Sequence, residues 1–293
     1  MVSVIIINYN TFQLTCNCIE SILLYTKEIA YEIVLVDNNS TECDADLFLQ
    51  RFPQIVLVKN QENAGFAKGN NLGIAHAKGT VILLLNSDTW FTENSICDAA
   101  KVLEANKSIG VLGVRMIYPG GGIQHTARKF RSIGWELLDL FRFIPLLMPY
   151  QQRAKRMLGK YFRSDFDTAC DWVNGAWFMF PVSVLEKMPG NKLDERFFMY
   201  GEDHLWCYQI RQAGYIAWFT SVTTIVHINN GSTQKEKQLK LIPVMIRHEQ
   251  EIMKERVGKG LYYYLFCAIY LSKEYGRYAI KWLVYQMAGK LVR

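Results

Sequence analysis

The first 115 residues alternate short, almost wholly apolar runs with amphipathic stretches, and this pattern limits the fold more than any other feature of the chain. The runs are VSVIIIN at residues 2–8, EIVLVDNNS at 32–40, IVLVKN at 55–60, TVILLLNSD at 80–88 and GVLGVRM at 110–116. Strands with no polar face are buried on both sides, which requires a mostly parallel sheet covered by helices. In such sheets ligands bind beyond the carboxyl ends of the strands. The polar residues there are Asn8 and Asn10, Asp37 to Ser40, Asn60 to Gly65 and Asn86 to Asp88. Four polar clusters at four strand ends describe one continuous ligand site.

Two nucleotide-binding arrangements fail at once. The first strand-to-helix turn reads Asn8-Tyr9-Asn10-Thr11-Phe12-Gln13, without the glycines that let a pyrophosphate approach a helix N-terminus, and no Walker A sequence is present. A nucleotide would therefore be held by side chains at the strand ends. Its diphosphate would need another counter-charge, such as a carboxylate-bound metal. Half of the residues are hydrophobic, which excludes disorder and a fibrous fold.

The net charge of +6 is unevenly spread. Residues 128–163 hold nine basic side chains against two acidic ones, residues 233–293 hold twelve against five, and the remainder is acidic. That is not the footprint of a duplex-DNA binder, and no nucleic acid partner is expected. The seven cysteines are odd in number and lack metal or redox spacing, so reduced thiols are expected. The N-terminus opens directly into a strand pattern with no signal-like region. No stretch reads as a spanning helix.

From 128 to 163 the alternation breaks into a basic, apolar insertion that includes Trp135, Phe141, Phe143, Leu146 and Leu147. Residues 1–233 are expected to form the α/β domain with this insertion. Residues 234–293 then form a helical, aromatic and basic extension, with rings from Tyr262 to Tyr285 spread among Lys and Arg. Such mixtures suit a lipid headgroup zone, and a homodimer interface can look the same.

The runs at 2–10, 32–40, 62–73 and 83–89, with WVNGAWFMF at 172–180 and FFMYGED at 197–203, resemble the family 2 glycosyltransferases with the GT-A fold. Within that family they resemble the rhamnosyltransferase-like branch. The resemblance covers roughly four fifths of the chain. It implies a Rossmann-like, mostly parallel sheet flanked by helices, followed here by a C-terminal helical extension. It also implies a donor site built from Asn8, Asn10, Asp37, Asn39, Asn63, Gly65, Phe66, Asn70, Asn71, Asn86, Ser87 and Asp88. Asp88 occupies the last place of the family's DxD motif, whose first acid is Asn86 here. With His227 it would hold a divalent metal, Mn²⁺ or Mg²⁺, on the donor diphosphate. Asp203 matches the general base, Glu202 an acceptor-orienting acid, and Trp172, Asn174, Gly175 and Ala176 the border of the acceptor and sugar. The family often has an acid two positions after the base, where this chain has Leu205.

The resulting expectation is an inverting, metal-dependent hexosyltransferase. It would move a sugar from dTDP-rhamnose or a UDP-sugar to a glycan or lipid-linked glycan in cell-surface polysaccharide synthesis. It would work in the cytoplasm, peripherally at the inner face of the plasma membrane. The alternatives are a non-catalytic sugar-nucleotide or membrane-glycan binding module, and a nucleotidyltransferase. The latter usually needs a Gly-rich basic first loop, which NYNTFQ does not supply.

Overall fold

The computed structural model describes residues 1–229 and 235–288, so the expected start of the extension at residue 234 and the Tyr285 ring lie outside the described residues. The chain order is β1 (Val2–Asn8), α1 (Phe12–Tyr25), β2 (Tyr31–Asp37), α2 (Asp46–Arg51), β3 (Val56–Lys59), α3 (Gly65–Ile74), β4 (Val81–Asn86), β5 (Thr89–Phe91), α4 (Ser95–Ala105) and β6 (Ile109–Ile117). Then come β7 (Ile123–Gln124), β8 (Ala127–Arg128), α5 (Ile133–Leu140), α6 (Phe143–Leu146), α7 (Tyr150–Met157), β9 (Thr168–Cys170), β10 (Trp172–Val173) and β11 (Trp177–Pro181). The last elements are α8 (Glu202–Gln212), β12 (Ile216–His227), α9 (Lys235–Val257) and α10 (Leu261–Ala288).

Two compact units emerge. The first comprises residues 1–129 and 158–232, the second residues 130–157 and 233–293. The expected insertion at 128–163 therefore narrows to 130–157, and its contacts group it with the tail instead of the α/β domain.

The first unit is built on a sheet ordered β3-β2-β1-β4-β11-β6-β12-β5. β3, β2, β1 and β4 are parallel, as their continuous apolar runs require. Val4, Ile5, Ile6, Val34, Leu35 and Ile82 to Leu85 are all buried there. Each fully buried aliphatic side chain contributes about 1.5–3 kcal/mol, so this block supplies much of the unit's stability. β11 runs antiparallel to both β4 and β6. β12 runs parallel to β6 with an irregular register between Thr220 and Thr224. β5 leaves the end of β4 after only Ser87 and Asp88, and pairs antiparallel with the last three residues of β12. That pairing sets His227 opposite Thr89, one residue from Asp88.

In the second unit, α9 and α10 share a small apolar core of Ile246, Met253, Phe266, Cys267 and Tyr270, against which Ile133 of α5 packs. Among the described residues no helix is long and apolar enough to cross a membrane.

Candidate functional site

The ends of β1 and β2 are tied by a compact polar network. Asn8 Nδ2 donates to Asp37 Oδ1 at 2.7 Å and to Ser40 Oγ at 2.9 Å, and the Ser40 amide donates to Asp37 Oδ2 at 3.0 Å. Asn8 Oδ1 in turn accepts from Thr11 and Thr15. Asp37 thus closes a turn over Ser40. A carboxylate has about four lone-pair sites, so acceptor capacity remains for a ribose hydroxyl. Asn10 sits at φ 54° and spends its side-chain oxygen on the amides of Thr41 and Glu42, shaping the rim.

Neighbouring strand residues point to opposite sides, so Asn38 faces away from Asp37 and toward the loop before α3. It is buried, donates to Gly65 O at 3.1 Å, and accepts from Asn60 Nδ2 at 3.1 Å. Sequence reasoning singled out Asn39, which is exposed at φ 60°. It missed Asn38, whose signal was its position at the start of the DNNS turn, next to the strand end. Asn63 Oδ1 accepts from the Gly65 amide at 3.1 Å. Asn70 Nδ2 donates to Phe66 O within α3. Asn71 reaches outward, exchanging bonds with both backbone groups of Leu193 and donating to Glu195 Oε1 at 2.8 Å. These asparagines therefore hold the loop and the 193–200 segment together.

Gly65 is the tightest point of that seam. It adopts φ +80°, and a Cβ there would fall 2.4 Å from the Phe198 carbonyl oxygen, which accepts from the Phe66 amide at 2.9 Å. Backbone cannot retreat as a side-chain tip can. Gly65→Ala is expected to destabilise the first unit by about 1–3 kcal/mol and to weaken nucleotide binding, read by thermal melting with and without nucleotide. An unchanged melting point would show that the seam is slack.

At the end of β4, Asp88 lies 3.2 Å from His227, Oδ1 to Nε2. The opposite ring nitrogen, Nδ1, is 2.9 Å from Gln124 Oε1. Gln124 Nε2 donates to the His227 carbonyl at 2.6 Å, which fixes its amide orientation and leaves Oε1 as the acceptor. A neutral His227 then carries its proton on Nδ1 and presents a bare Nε2 on the Asp88 side, the form a cation needs. Gln124 was not foreseen from sequence. It enters through β7, a strand of two residues that no periodicity reveals.

The catalytic candidates are held by the Asn174–Ala176 turn. Asn174 Oδ1 accepts from the Ala176 amide at 2.8 Å. The Ala176 carbonyl accepts from the Asn86 amide at 3.1 Å, and the Gly175 amide donates to Asp203 Oδ2 at 3.0 Å. A Cβ at Gly175 would come into van der Waals contact with Asp203 and Phe66, at 3.4 Å from each. One short turn therefore anchors the Asn86-Ser87-Asp88 segment at one end and Asp203 at the other. Asp203 Oδ1 also accepts from the His204 amide at 2.8 Å.

α8 begins at Glu202, so both acids lie in its first turn, where the helix dipole favours negative charge. Burial raises the Asp203 pKa above the usual carboxylate range. Burial first, and the Asp203 charge second, push Glu202 up to about 8. Beside them the Trp172 ring stacks on His204 at 5.2 Å, with the Arg128 guanidinium 5.1 Å over it. Leu205, at the place where the family often has an acid, is fully buried and packs inward.

The family model described as glycosyl transferase family 2 matches residues 3–170. The chain is 35% identical over 101 residues to glycosyltransferase GlyG of Streptococcus pneumoniae serotype 4, covering 33% of each chain. It is 22% identical over 224 residues to the O-antigen biosynthesis protein RfbC of Myxococcus xanthus, covering 74% of this chain and 16% of that one. The chain thus spans a third or less of the length of these curated relatives. Among solved structures it resembles the mannosyltransferase PcManGT from Pyrobaculum calidifontis in complex with GDP-Man and Mn²⁺. The TM-score is 0.60 at 17% identity, over 99% of this chain and 76% of that one. At that identity the likeness establishes the GT-A fold.

Proposed function

The chain belongs to glycosyl transferase family 2, and we propose that it transfers a sugar from a nucleoside diphosphate to a glycan hydroxyl, with inversion at the anomeric carbon. The observation that carries this reading is the Asn174–Ala176 turn. Its backbone positions a carboxylate for proton removal at one end and the acidic end of β4 at the other. A single displacement needs both, since the acceptor oxygen must lose its proton as the bond to the departing diphosphate breaks.

Asp203 takes the acceptor proton while the Gly175 and His204 amides keep its two oxygens in place. The electron pair of the breaking bond leaves on the diphosphate. Glu202, beside the base, keeps its proton at neutral pH and orients the acceptor. Trp172, packed between His204 and the Arg128 guanidinium, borders the acceptor side, and Asn8, Asp37 and the Asn63–Asn71 loop form the nucleoside side.

Asp88 and His227 supply one carboxylate oxygen and one imidazole nitrogen 3.2 Å apart. No group of three or more His, Cys, Asp or Glu that could hold a metal is present among the described residues. The pair suits a divalent cation that shares its shell with phosphate oxygens and water, and the imidazole favours Mn²⁺ over Mg²⁺. Such a cation would neutralise charge developing on the leaving diphosphate.

The donor is proposed to be a dTDP- or UDP-sugar, in keeping with the rhamnosyltransferase-like sequence pattern. A GDP-sugar is the alternative that the likeness to PcManGT brings. The similarity to an O-antigen biosynthesis protein supports a cell-surface glycan, free or lipid-linked, as acceptor. Thermal melting with dTDP, UDP and GDP, each with and without Mn²⁺, tests the donor site. A ligand at 100 times its Kd adds about 2.7 kcal/mol. One nucleotide is expected to give a shift that needs Mn²⁺ and that Asp88→Asn removes. If Asp88→Asn keeps the full shift, the metal assignment is wrong; if no nucleotide shifts the wild type, the donor site is.

A further inference from the structure

The second unit is built inside out. Residues 130–157 and 233–293 carry seventeen basic side chains against seven acidic ones, a net +10, while the rest of the chain is net −4. Four of those seven acids, Glu136, Asp139, Glu249 and Glu274, are turned inward and paired within the unit. Lys273 pairs with Glu136 and, at 3.1 Å, with Asp139. Arg277 reaches Asp139 at 2.9 Å and Glu274 at 3.1 Å. Arg131 reaches Glu136 at 2.9 Å and lies 3.9 Å from Glu249.

The solvent-facing side of α10 is the reverse. At 3.6 residues per turn, its charged residues from 261 to 284, namely Lys273, Glu274, Arg277 and Lys281, fall together on one side. The opposite side is exposed and uncharged, and carries Leu261, Tyr264, Leu265, Tyr275, Trp282 and Leu283. A helix meant to face water places these sets the other way round. In the same unit Phe143, Leu146 and Leu147 are 63%, 60% and 82% exposed next to Arg142 in the chain, and Lys155 and Arg156 of α7 are exposed as well.

We propose that the outward face of α10 and the 141–147 segment dock this unit on the surface of an anionic bilayer. Apolar side chains and aromatic rings would enter the headgroup zone and basic side chains would pair with lipid phosphates. Charge selects this occupant. A second copy of the chain would bring one +10 unit against another, whereas an anionic surface complements it. With no helix able to cross among the described residues, the unit lies on the bilayer. The proposal is independent of sugar transfer and holds whether or not the catalytic assignment does.

The test is flotation of the full-length protein with phosphatidylcholine vesicles and with vesicles in which about one third of the lipid is phosphatidylglycerol. The wild type is expected to partition at least about tenfold better onto the anionic vesicles and to lose that preference in high salt. Leu265→Glu/Leu283→Glu is expected to lower partitioning about tenfold with an unchanged melting point. Should that variant melt early, Tyr264→Ser/Tyr275→Ser removes exposed rings without adding charge and is expected to weaken binding in the same direction. Equal partitioning onto both vesicles, or none onto either, overturns the proposal. So does light scattering that finds a dimer which Leu265→Glu/Leu283→Glu dissociates while vesicle binding persists.

Discussion

Asp203→Asn is expected to turn over about 10²- to 10⁴-fold more slowly than the wild type, with the nucleotide-dependent thermal shift intact. An amide cannot take the acceptor proton. Its oxygen can keep only one of the two backbone amides that Asp203 now binds, so the side chain also turns. The neighbouring acid sharpens the test. Burial first and the Asp203 charge second raise Glu202, to about 8, and burial raises Asp203 as well. The base role requires Asp203 to ionise first and its neighbour to stay protonated. The sign follows directly. Only the carboxylate form of Asp203 accepts a proton, so kcat/KM rises as pH climbs through its raised pKa, with an acid limb above the ordinary carboxylate range. Glu202→Gln, which keeps the shape of the neutral acid, is expected to lose less than about tenfold below pH 8. Full turnover in Asp203→Asn would end the base assignment. An acid limb at ordinary carboxylate pH would show that Asp203 is not raised in the free enzyme.

The parallel half of the sheet was legible because each strand is apolar on both faces, and no other arrangement buries such strands. The antiparallel additions were not. β5, β7 and β10 are two or three residues long, too short to show a period of two, yet they bring Asp88, Gln124 and Trp172 into place. Asp88 and His227 are 139 positions apart in sequence, and only the pairing of β5 with the end of β12 makes them neighbours. The Asn63–Asn71 stretch read as a nucleotide loop. Asn71 instead uses both ends of its amide on Leu193 and Glu195, a tie that pattern alone cannot show, because an asparagine binds backbone and ligand with the same groups. The segments at 128–163 and 233–293 were legible as basic, aromatic and apolar, but not in which way each charge faces. Sequence could not show that Glu136, Asp139, Glu249 and Glu274 are turned inward.

That inward network makes the second large prediction. Lys273→Ala is expected to destabilise the second unit by about 3–5 kcal/mol, because it leaves Glu136 and Asp139 buried with their shared cation gone. Arg131 and Arg277 each retain contact with one of the two acids, but neither bridges both. The cost arises from two buried acids each left with a single cation more than from the lost bond, and a second variant separates these. Lys273→Met with Glu136→Leu and Asp139→Leu removes the cation with both acids it bridges, leaves Arg131 on Glu249 and Glu274 and Arg277 on Glu274, and is expected to recover part of the loss. Amide hydrogen exchange reads the outcome locally, as faster exchange in α5 and α10 with β1 and β4 unchanged. If the triple variant is as unstable as Lys273→Ala, the network contributes through specific geometry and not merely through mutual neutralisation. If Lys273→Ala exchanges like the wild type, α5 is not held to α10 by this cluster. The uncharged outer face of α10 would then have no structural reason to be where it is.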